Sequence, residues 1–429
     1  MISKIKDLYL TFLGIIFYRF HHKSFVKRSK KNIINYQFKK LKNLLIDAGI
    51  NVPYYNKLFK QIDFDPKNDF NKIEDLKKIP ILNQEDVRAR PQDFINPKIN
   101  KYLNMKTSGT SGIPFSARID FNHWIVEQAV IWRQWKSFGY KFRDKIALLR
   151  SYAPGKGDKL IKVDNLRNFI YYSPYHLNEE NCADFHKDMV RRKIKFLRGY
   201  PSSIKIFTSY CKRNQLKLNS LKGILLASET LLENDKKYIK EYFNVPVINH
   251  YGLAECVVMI GNIFSDNYLY NYDDYGYLEL IEDSNKINIV GTNLNNHAMP
   301  LIRYNTNDIA FIDLNEEDKK IKLKQIKSIS GRKNEFILTN KEKIPLTNIY
   351  TIFSKIQNIA KWQIIQRKID KLDILILCEE SDEGIIKEKL INDLNIIERK
   401  GLNMNIIFTS EFERFGEGKI PPFIPHEKK

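Results

Sequence analysis

The segment TSGTSGIP, residues 107–114, combines residue types that can hold an anion. Its glycines allow successive backbone N–H groups to converge, and its hydroxyl side chains can donate hydrogen bonds beside them. Clusters of Gly, Ser, Thr and Pro are also typical of ordinary surface loops, so the segment alone leaves both interpretations open. The hydroxyl and glycine residues are Thr107, Ser108, Gly109, Thr110, Ser111 and Gly112.

Two later segments contain residue types that can bind a nucleotide. In INHYGLAEC, Tyr251 follows a predicted strand and can stack on a purine, while Glu255 can hold Mg²⁺ against phosphates. An aromatic residue and a glutamate in a turn are also common without any ligand. In MPLIRYNTNDIA, Asp308 can accept hydrogen bonds from both hydroxyls of a ribose.

Two cationic segments follow towards the C-terminus. Arg332 lies in SGRKNEF, which looks like a domain boundary, and Lys419 lies in GEGKIPP after two glycines that favour a mobile loop. Each of these residues, taken singly, is equally consistent with a surface charge.

Composition restricts the class of protein. The chain has 429 residues, of which 43% are hydrophobic, enough for two or three domains with a large core. The net charge is +21, but the lysines are scattered, so we predict no nucleic-acid partner. An apolar run at 8–18 is too short to cross a bilayer, and a basic run follows at 21–31. Residues 8–31 are therefore either a peripheral contact with a membrane surface or a solvated face.

The four cysteines are widely spaced, which argues against a disulfide scaffold and against a structural zinc site. No cysteine lies near Cys256, so we predict no metal site there. This pattern, and the absence of a signal-peptide cleavage pattern, favour a reducing, cytoplasmic location.

Strand and helix patterns alternate between residues 122 and 252, which predicts an α/β fold with ligand-binding loops at the strand ends. A helix is predicted over 34–49, ending at Gly49. Short strands from Tyr275 onwards indicate a β-rich subdomain, and residues beyond about 336 a small α+β unit.

The order of the motifs resembles one superfamily, the adenylate-forming enzymes, which include acyl- and aryl-CoA synthetases, peptide-synthetase adenylation domains and luciferases. NVPYYNKLF, TSGTSGIP, HYGLAE and PLIRYNTNDIA are most similar to its phenylacetate-CoA ligase and CapK-like branch, found around capsule and polysaccharide gene sets. The resemblance extends over nearly the whole chain. It implies a large N-terminal adenylate-forming domain, 1–334, made of α/β subdomains and a β-rich subdomain. It also implies a small mobile α+β C-terminal domain, 335–429, that carries the catalytic lysine.

The resemblance also implies roles for single residues. Lys419 bridges the substrate carboxylate and the α-phosphate of ATP, Arg332 reaches the ribose and phosphates, Glu255 binds Mg²⁺, and Glu335 is the hinge. His250 and Tyr200 are candidates for the wall of the acid pocket, with core packing as the alternative. The implied ATP-binding residues are Thr107, Ser108, Gly109, Thr110, Ser111, Gly112, Ser228, Glu229, Tyr251, Gly252 and Asp308.

Two departures from the family pattern limit the prediction. Ala254 stands where a Thr or Ser is usual, which removes a hydroxyl near the α-phosphate. Asn340 and Lys341 stand where the family has the double glycine of the loop that admits the pantetheine arm of CoA, and a lysine side chain would crowd that path.

Three functions follow from these observations. The first is ATP-dependent activation of a small carboxylic acid as an acyl-adenylate, followed by transfer to an amine, a hydroxyl (on a saccharide, for example) or CoA. An aryl- or acyl-CoA ligase is the alternative form of this activity. The second function is transfer of AMP itself to an acceptor, and the third is an inactive scaffold that binds a nucleotide or polyanion.

Overall fold

The computed structural model describes most of the chain from residue 30 onwards, and the statements below concern the described residues. These are residues 12, 16, 30–106, 116–155, 157–263, 265–283, 286–312, 325–330, 336–340, 343–345, 349, 352–353, 356, 358–398, 402–414 and 420–426.

The helices lie mainly in the first 250 residues. The α-helices are α1 (Lys30–Asn51), α2 (Pro53–Gln61), α3 (Gln84–Ala89), α4 (Phe121–Ser137), α5 (Glu179–Arg191), α6 (Pro201–Arg213), α7 (Glu233–Phe243) and α8 (Glu383–Glu398). Short 3₁₀ helices span Ile73–Lys78, Pro91–Phe94 and Glu380–Asp382.

The strands become denser after residue 245. They are β1 (Tyr102–Lys106), β2 (Ser116–Asp120), β3 (Ile146–Leu149), β4 (Ile161–Asp164), β5 (Phe169–Tyr172), β6 (Phe196–Gly199), β7 (Gly223–Ala227), β8 (Val247–Gly252), β9 (Met259–Gly261), β10 (Tyr270–Asn271), β11 (Gly276–Asp283), β12 (Lys286–Asn293), β13 (Tyr304–Phe311), β14 (Ser328–Ser330), β15 (Phe336–Leu338), β16 (Lys343–Pro345), β17 (Lys361–Lys368), β18 (Lys371–Leu377), β19 (Asn403–Phe408) and β20 (Phe423–Ile424).

The chain divides into two compact units, each made of two segments. The first unit contains Met1–Gly139 and His250–Gly331, and the second contains Tyr140–Asn249 and Arg332–Lys429. The predicted boundary between residues 334 and 335 lies outside the described residues, and the two-domain division remains a prediction.

Helix α1 confirms the helix predicted over 34–49, but it does not end at Gly49. Its buried side chains, Leu41, Leu44, Leu45 and Ala48, follow the spacing of one helix face. The helix continues past Gly49 to Asn51, because Gly49 serves packing instead of termination. A Cβ atom there would lie 2.9 Å from Cδ2 of Phe59 in α2.

The β-rich part of the first unit is an antiparallel sheet in the order β11-β12-β13-β14. A register shift between Asn288 and Val290 marks an irregularity where β12 meets β13. Strands β1 and β2 form a separate antiparallel pair in which Lys106 lies opposite Ser116, so residues 107–115 connect two paired strands. The last residues of β8 pair with β9, with Tyr251 opposite Ile260.

Asp120 fixes the start of α4. Its Oδ1 accepts a hydrogen bond from the His123 backbone N–H at 2.8 Å, the usual arrangement of a helix N-cap. Its Oδ2 accepts one from the His297 backbone N–H at 2.6 Å, and its own N–H donates to Oδ1 of Asn296. The first turn of α4 is thereby tied to the loop between β12 and β13.

The first segment of the second unit is the predicted α/β fold. Its strands lie in the order β7-β6-β3-β5-β4, with β4 antiparallel at the edge and the other neighbours parallel. Side chains of α5, α6 and α7, including Phe185, Phe207 and Ile239, complete one buried core with these strands.

The second segment of this unit is the predicted α+β unit, a sheet in the order β19-β18-β17-β20 with α8. Leu390 and Leu394 of α8 join Ile364, Ile374 and other buried residues in its core. Strand β17 was not predicted from the sequence. In the segment before β17, residues 349, 352 and 353 are helical and residue 356 is not.

The described helices include none that is both long enough and apolar enough to cross a bilayer. The N-terminal residues 8–31 lie largely outside the described residues, so the predicted membrane contact stays a prediction.

A buried ion pair holds α4 to the loop that precedes β11. The two guanidinium nitrogens Nη1 and Nη2 of Arg133 each donate to a carboxylate oxygen of Asp274 at 2.7 Å. The side chains are 8% and 1% exposed, so neither charge could be left alone without a large desolvation penalty.

We expect Asp274→Asn to lower the free energy of unfolding by about 3–5 kcal/mol, because it leaves the Arg133 charge buried and uncompensated. Urea unfolding followed by circular dichroism measures this change. The matched control is Glu241→Gln in the exposed Lys237–Glu241 pair, which should change stability by less than about 1 kcal/mol. Equal, small effects in both variants would contradict the structural role of the buried pair.

Candidate active site

Tyr251 and Asp308, the predicted adenine and ribose residues, meet in the first unit. The Tyr251 hydroxyl donates to Oδ2 of Asp308 at 2.5 Å, across 57 positions of sequence. Burial of the phenol and the nearby Asp308 carboxylate raise the pKa of Tyr251 well above its usual value, so it stays a donor. The structure thus brings two of the predicted nucleotide residues into direct contact.

Glu255, the predicted magnesium ligand, follows in the turn after β8 and is only 4% exposed. Its Oε1 accepts hydrogen bonds from Nε2 of Gln84 and from the Tyr304 hydroxyl, both at 3.2 Å. Burial and the Glu255 carboxylate raise the pKa of Tyr304, which keeps the phenol protonated and donating. Oε2 takes part in neither of these hydrogen bonds.

The turn between Tyr251 and Cys256 has a defined backbone. The Cys256 N–H donates to the Leu253 carbonyl at 3.0 Å, and Cys256 has a φ of 55°, in the left-handed region. Ala254 lies inside this turn. A Cβ atom on the exposed Gly252 would meet no described atom within 4 Å, so packing among the described residues does not require glycine there.

Arg303 precedes the predicted ribose residue Asp308, and its guanidinium is bound to other parts of the protein. Its Nε and Nη2 bind both carboxylate oxygens of the buried Glu279 at about 3 Å, and Nη1 donates to the Ile79 carbonyl. These bonds engage the guanidinium on three sides.

Ser228 and Glu229 lie in the second unit, just after β7. Ser228 is exposed and has a φ of 73°, a conformation that non-glycine residues adopt rarely. Oε2 of Glu229 accepts from the Ser202 N–H at 3.1 Å, at the start of α6. Burial lowers the pKa of Lys361 in β17, and the Glu229 carboxylate partly offsets that effect. Glu229 therefore has a structural position within its own unit, and both nucleotide roles remain predictions.

The two acid-pocket candidates differ in burial. Tyr200 is fully buried, with its hydroxyl 3.3 Å from Oγ of Ser151 and the Arg150 guanidinium 5.3 Å from its ring centroid. His250 is half-buried in β8, opposite Gly261. Neither role is tested by these positions.

The remaining predicted site residues lie outside the described residues. They are Thr107, Ser108, Gly109, Thr110, Ser111, Gly112, Arg332, Glu335, Lys341 and Lys419. Their roles stay predictions.

Gln84 and Tyr304 donate to Glu255 but were not predicted from the sequence as site residues. Gln84 begins the short helix α3, and Tyr304 begins β13, four residues before Asp308. The motif PLIRYNTNDIA contains Tyr304, so the signal was present, but nothing in the motif connects it with Glu255.

The sequence is similar to that of known proteins over most of its length. Residues 336–419 match the family model of the CapK C-terminal domain. Protein CapK of Staphylococcus aureus is 25% identical over 83% of this chain and 81% of its own length. Phenylacetate-coenzyme A ligase of Thermus thermophilus is 23% identical over 82% of each chain.

The fold is also that of a solved structure. The 2-hydroxyisobutyryl-CoA ligase, in a structure described as the postadenylation state, superposes with a TM-score of 0.66 over 93% of this chain and 90% of that chain, at 15% identity. This likeness confirms the predicted fold class. The chain is thus similar in sequence to protein CapK and to phenylacetate-coenzyme A ligase, matches the CapK C-terminal domain over residues 336–419, and has the fold of 2-hydroxyisobutyryl-CoA ligase.

Proposed function

We propose that this protein uses ATP to activate a small carboxylic acid as an acyl-adenylate, releases pyrophosphate, and transfers the acyl group to an acceptor. The observation that supports this most is the 2.5 Å contact between Tyr251 and Asp308. The family resemblance assigns these two residues to the same nucleotide, and they are in direct contact although 57 positions separate them in sequence.

Glu255 suits the magnesium role. Magnesium prefers carboxylate oxygens, and the two hydrogen bonds to Oε1 orient the Glu255 carboxylate while Oε2 takes no part in them. When bound, Mg²⁺ would neutralise charge on the phosphates during displacement. Gln84 and Tyr304 would act as positioning residues that keep the carboxylate in place before ATP arrives.

The reaction has two displacements. An oxygen of the substrate carboxylate attacks the α-phosphorus, the bond to the pyrophosphate oxygen breaks, and acyl-AMP and pyrophosphate form. In the proposal, Lys419 lies between the carboxylate and the α-phosphate and reduces their repulsion. The loop of Thr107 to Gly112 donates to the leaving pyrophosphate, and Arg332 contacts the ribose and phosphates.

The acceptor then attacks the acyl carbonyl, and AMP leaves. Lys341 and Asn340 in place of the family's glycines favour a small amine or hydroxyl over the long pantetheine arm. The names of the phenylacetate-coenzyme A ligase relatives favour CoA, which is the second candidate. The branch that the sequence resembles is found around capsule and polysaccharide gene sets, which favours an acceptor hydroxyl or amine on a saccharide.

Pyrophosphate exchange into ATP tests the first step. The protein is assayed with Mg²⁺ and a panel of aryl, amino, hydroxy and sugar acids. We expect exchange that depends on one class of acid. AMP transfer to an acceptor without any acid would replace this function by adenylyl transfer, and ATP binding with no exchange over a broad panel would favour an inactive nucleotide-binding protein.

For Glu255→Gln we expect a loss of exchange of about 100-fold, which corresponds to about 2.7 kcal/mol of transition-state stabilisation. The substitution keeps the size of the side chain and removes its charge. Glu282→Gln, an exposed glutamate of β11 in the same unit, is the matched control and should keep the wild-type rate. A Glu255→Gln variant that keeps full activity over a titration of Mg²⁺ would exclude the magnesium role.

Asp308→Ala should weaken ATP binding, because charge-assisted hydrogen bonds to the ribose, each worth about 1.5–3 kcal/mol, are lost. Calorimetry should show at least a tenfold (~1.4 kcal/mol) rise in Kd. Tyr251→Phe retains the ring and removes only the bond to Asp308, so its effect should be smaller. Unchanged ATP affinity in Asp308→Ala would rule out the ribose contact.

Lys341→Gly should raise the rate of CoA thioester formation from the acid that supports exchange, because it removes the side chain predicted to crowd the pantetheine path. Lys371→Ala, on an exposed position of β18, is the control. The rates are measured by release of AMP in the presence of CoA. Efficient thioester formation by the wild-type protein would instead make CoA the natural acceptor.

A further inference from the structure

His123, Glu127 and Cys256 form a cluster of three different metal-ligand types in the first unit. One ligand atom from each, an imidazole nitrogen, a carboxylate oxygen and the thiol sulfur, lie within 4.8 Å of one another. His123 and Glu127 are four residues apart on α4, a spacing that places both side chains on one face of a helix. Cys256 reaches them from the turn after β8.

His123 carries the strongest sign of a missing ligand. Its side chain is 0% exposed, and neither ring nitrogen has a hydrogen-bond partner among the described residues. Buried polar atoms are nearly always paired, since an unpaired one loses its hydration without compensation. Burial lowers the pKa of His123 to about 3, so the ring is neutral and keeps a lone pair for a metal ion.

We propose that His123, Glu127 and Cys256 bind a divalent zinc ion, as a site separate from the magnesium site at Glu255. Imidazole, thiolate and carboxylate together are a donor set that suits zinc, whereas magnesium requires oxygen ligands. Two donors at about 2.0–2.3 Å from a tetrahedral zinc ion lie about 3.3–3.8 Å apart. Side-chain adjustments of about 1 Å therefore bring the three donors into range.

The surroundings of the cluster fit this assignment. The Tyr275 hydroxyl is 3.1 Å from Oε2 of Glu127, and it can orient the carboxylate as outer-shell partners of metal sites do. The Tyr275 ring also packs edge-on against the His123 ring, with 4.7 Å between centroids. Sγ of Cys256 lies 3.8 Å from the same Glu127 oxygen. A neutral imidazole, a carboxylate and a thiolate carry two negative charges, which one divalent ion balances.

Zinc binding changes the state of the thiol. Burial, and next the Glu127 carboxylate, raise the pKa of Cys256 well above its usual value, so the unbound thiol is protonated. Ligation forms the Cys256–zinc bond and releases that proton to solvent, as for other cysteine metal ligands. The ion would join α4 to the turn that contains Glu255, and so hold the magnesium ligand in place.

Metal content of the full-length protein tests the proposal. The protein is loaded with zinc, dialysed against buffer with magnesium and no chelator, and analysed by mass spectrometry of the metal. We expect one zinc ion per wild-type chain, and at least a tenfold loss of zinc affinity in His123→Gln and Cys256→Ser. Cys211→Ser, at another buried cysteine, should keep the ion. A wild-type protein that retains no zinc, or variants that bind it as the wild type does, would overturn the site.

Cobalt substitution keeps the test valid if these variants fail to fold. Wild-type protein loaded with Co²⁺ should show the near-ultraviolet charge-transfer absorption of a thiolate ligand, and its absence would refute Cys256 as a ligand. Glu255→Gln should keep this absorption and the zinc ion, even where it loses pyrophosphate exchange. Loss of zinc in Glu255→Gln would contradict the separation of the two sites.

Discussion

A carboxylate that is almost completely buried, that of Glu255, sets the main physical constraint on the first unit. An ionised group in such a place is tolerated only where donors replace the water it has lost. Gln84 and Tyr304 supply two donors from distant parts of the chain. Two backbone hydrogen bonds hold the segment before α3 beside the start of β13. The Leu82 N–H donates to the Arg303 carbonyl, and the Leu82 carbonyl accepts from the Asn305 N–H, both at 2.9 Å. The turn after β8, helix α3 and strand β13 must therefore keep their relative positions for the site to exist.

The elements that could be predicted from the sequence are those with strong local patterns. Helix α1, the strands of the α/β segment and the β-rich region from β11 onwards follow from apolar periodicity and turn residues. Strand β17 has the sequence KWQIIQRK, in which the buried Gln363 and Gln366 interrupt the apolar pattern. Gln363 is buried because its side chain binds the Glu413 and Pro421 carbonyls, a cause that only the folded chain reveals.

The site residues also divide into those with a local sequence signal and those that only the folded chain reveals. Tyr251, Glu255 and Asp308 lie in motifs whose residue types imply a ligand, so they could be proposed from the sequence. Gln84 and His123 lie in ordinary helical sequence, and only the fold brings them to the turn after β8. The prediction that no metal site lies at Cys256 considered cysteines nearby in sequence. Glu127, 129 positions away in sequence, contacts Cys256 only in the folded chain, so that prediction could not take it into account.

The pairing of Lys106 with Ser116 has a consequence for how the segment between them can change in length. Because the two strands hold the ends of segment 107–115 together, the cost of closing that loop depends only weakly on its length, and a doubling adds about 0.6 kcal/mol. Insertions between these two residues therefore change the free energy of folding little. Length variation in this segment can therefore accumulate without loss of the pairing between β1 and β2.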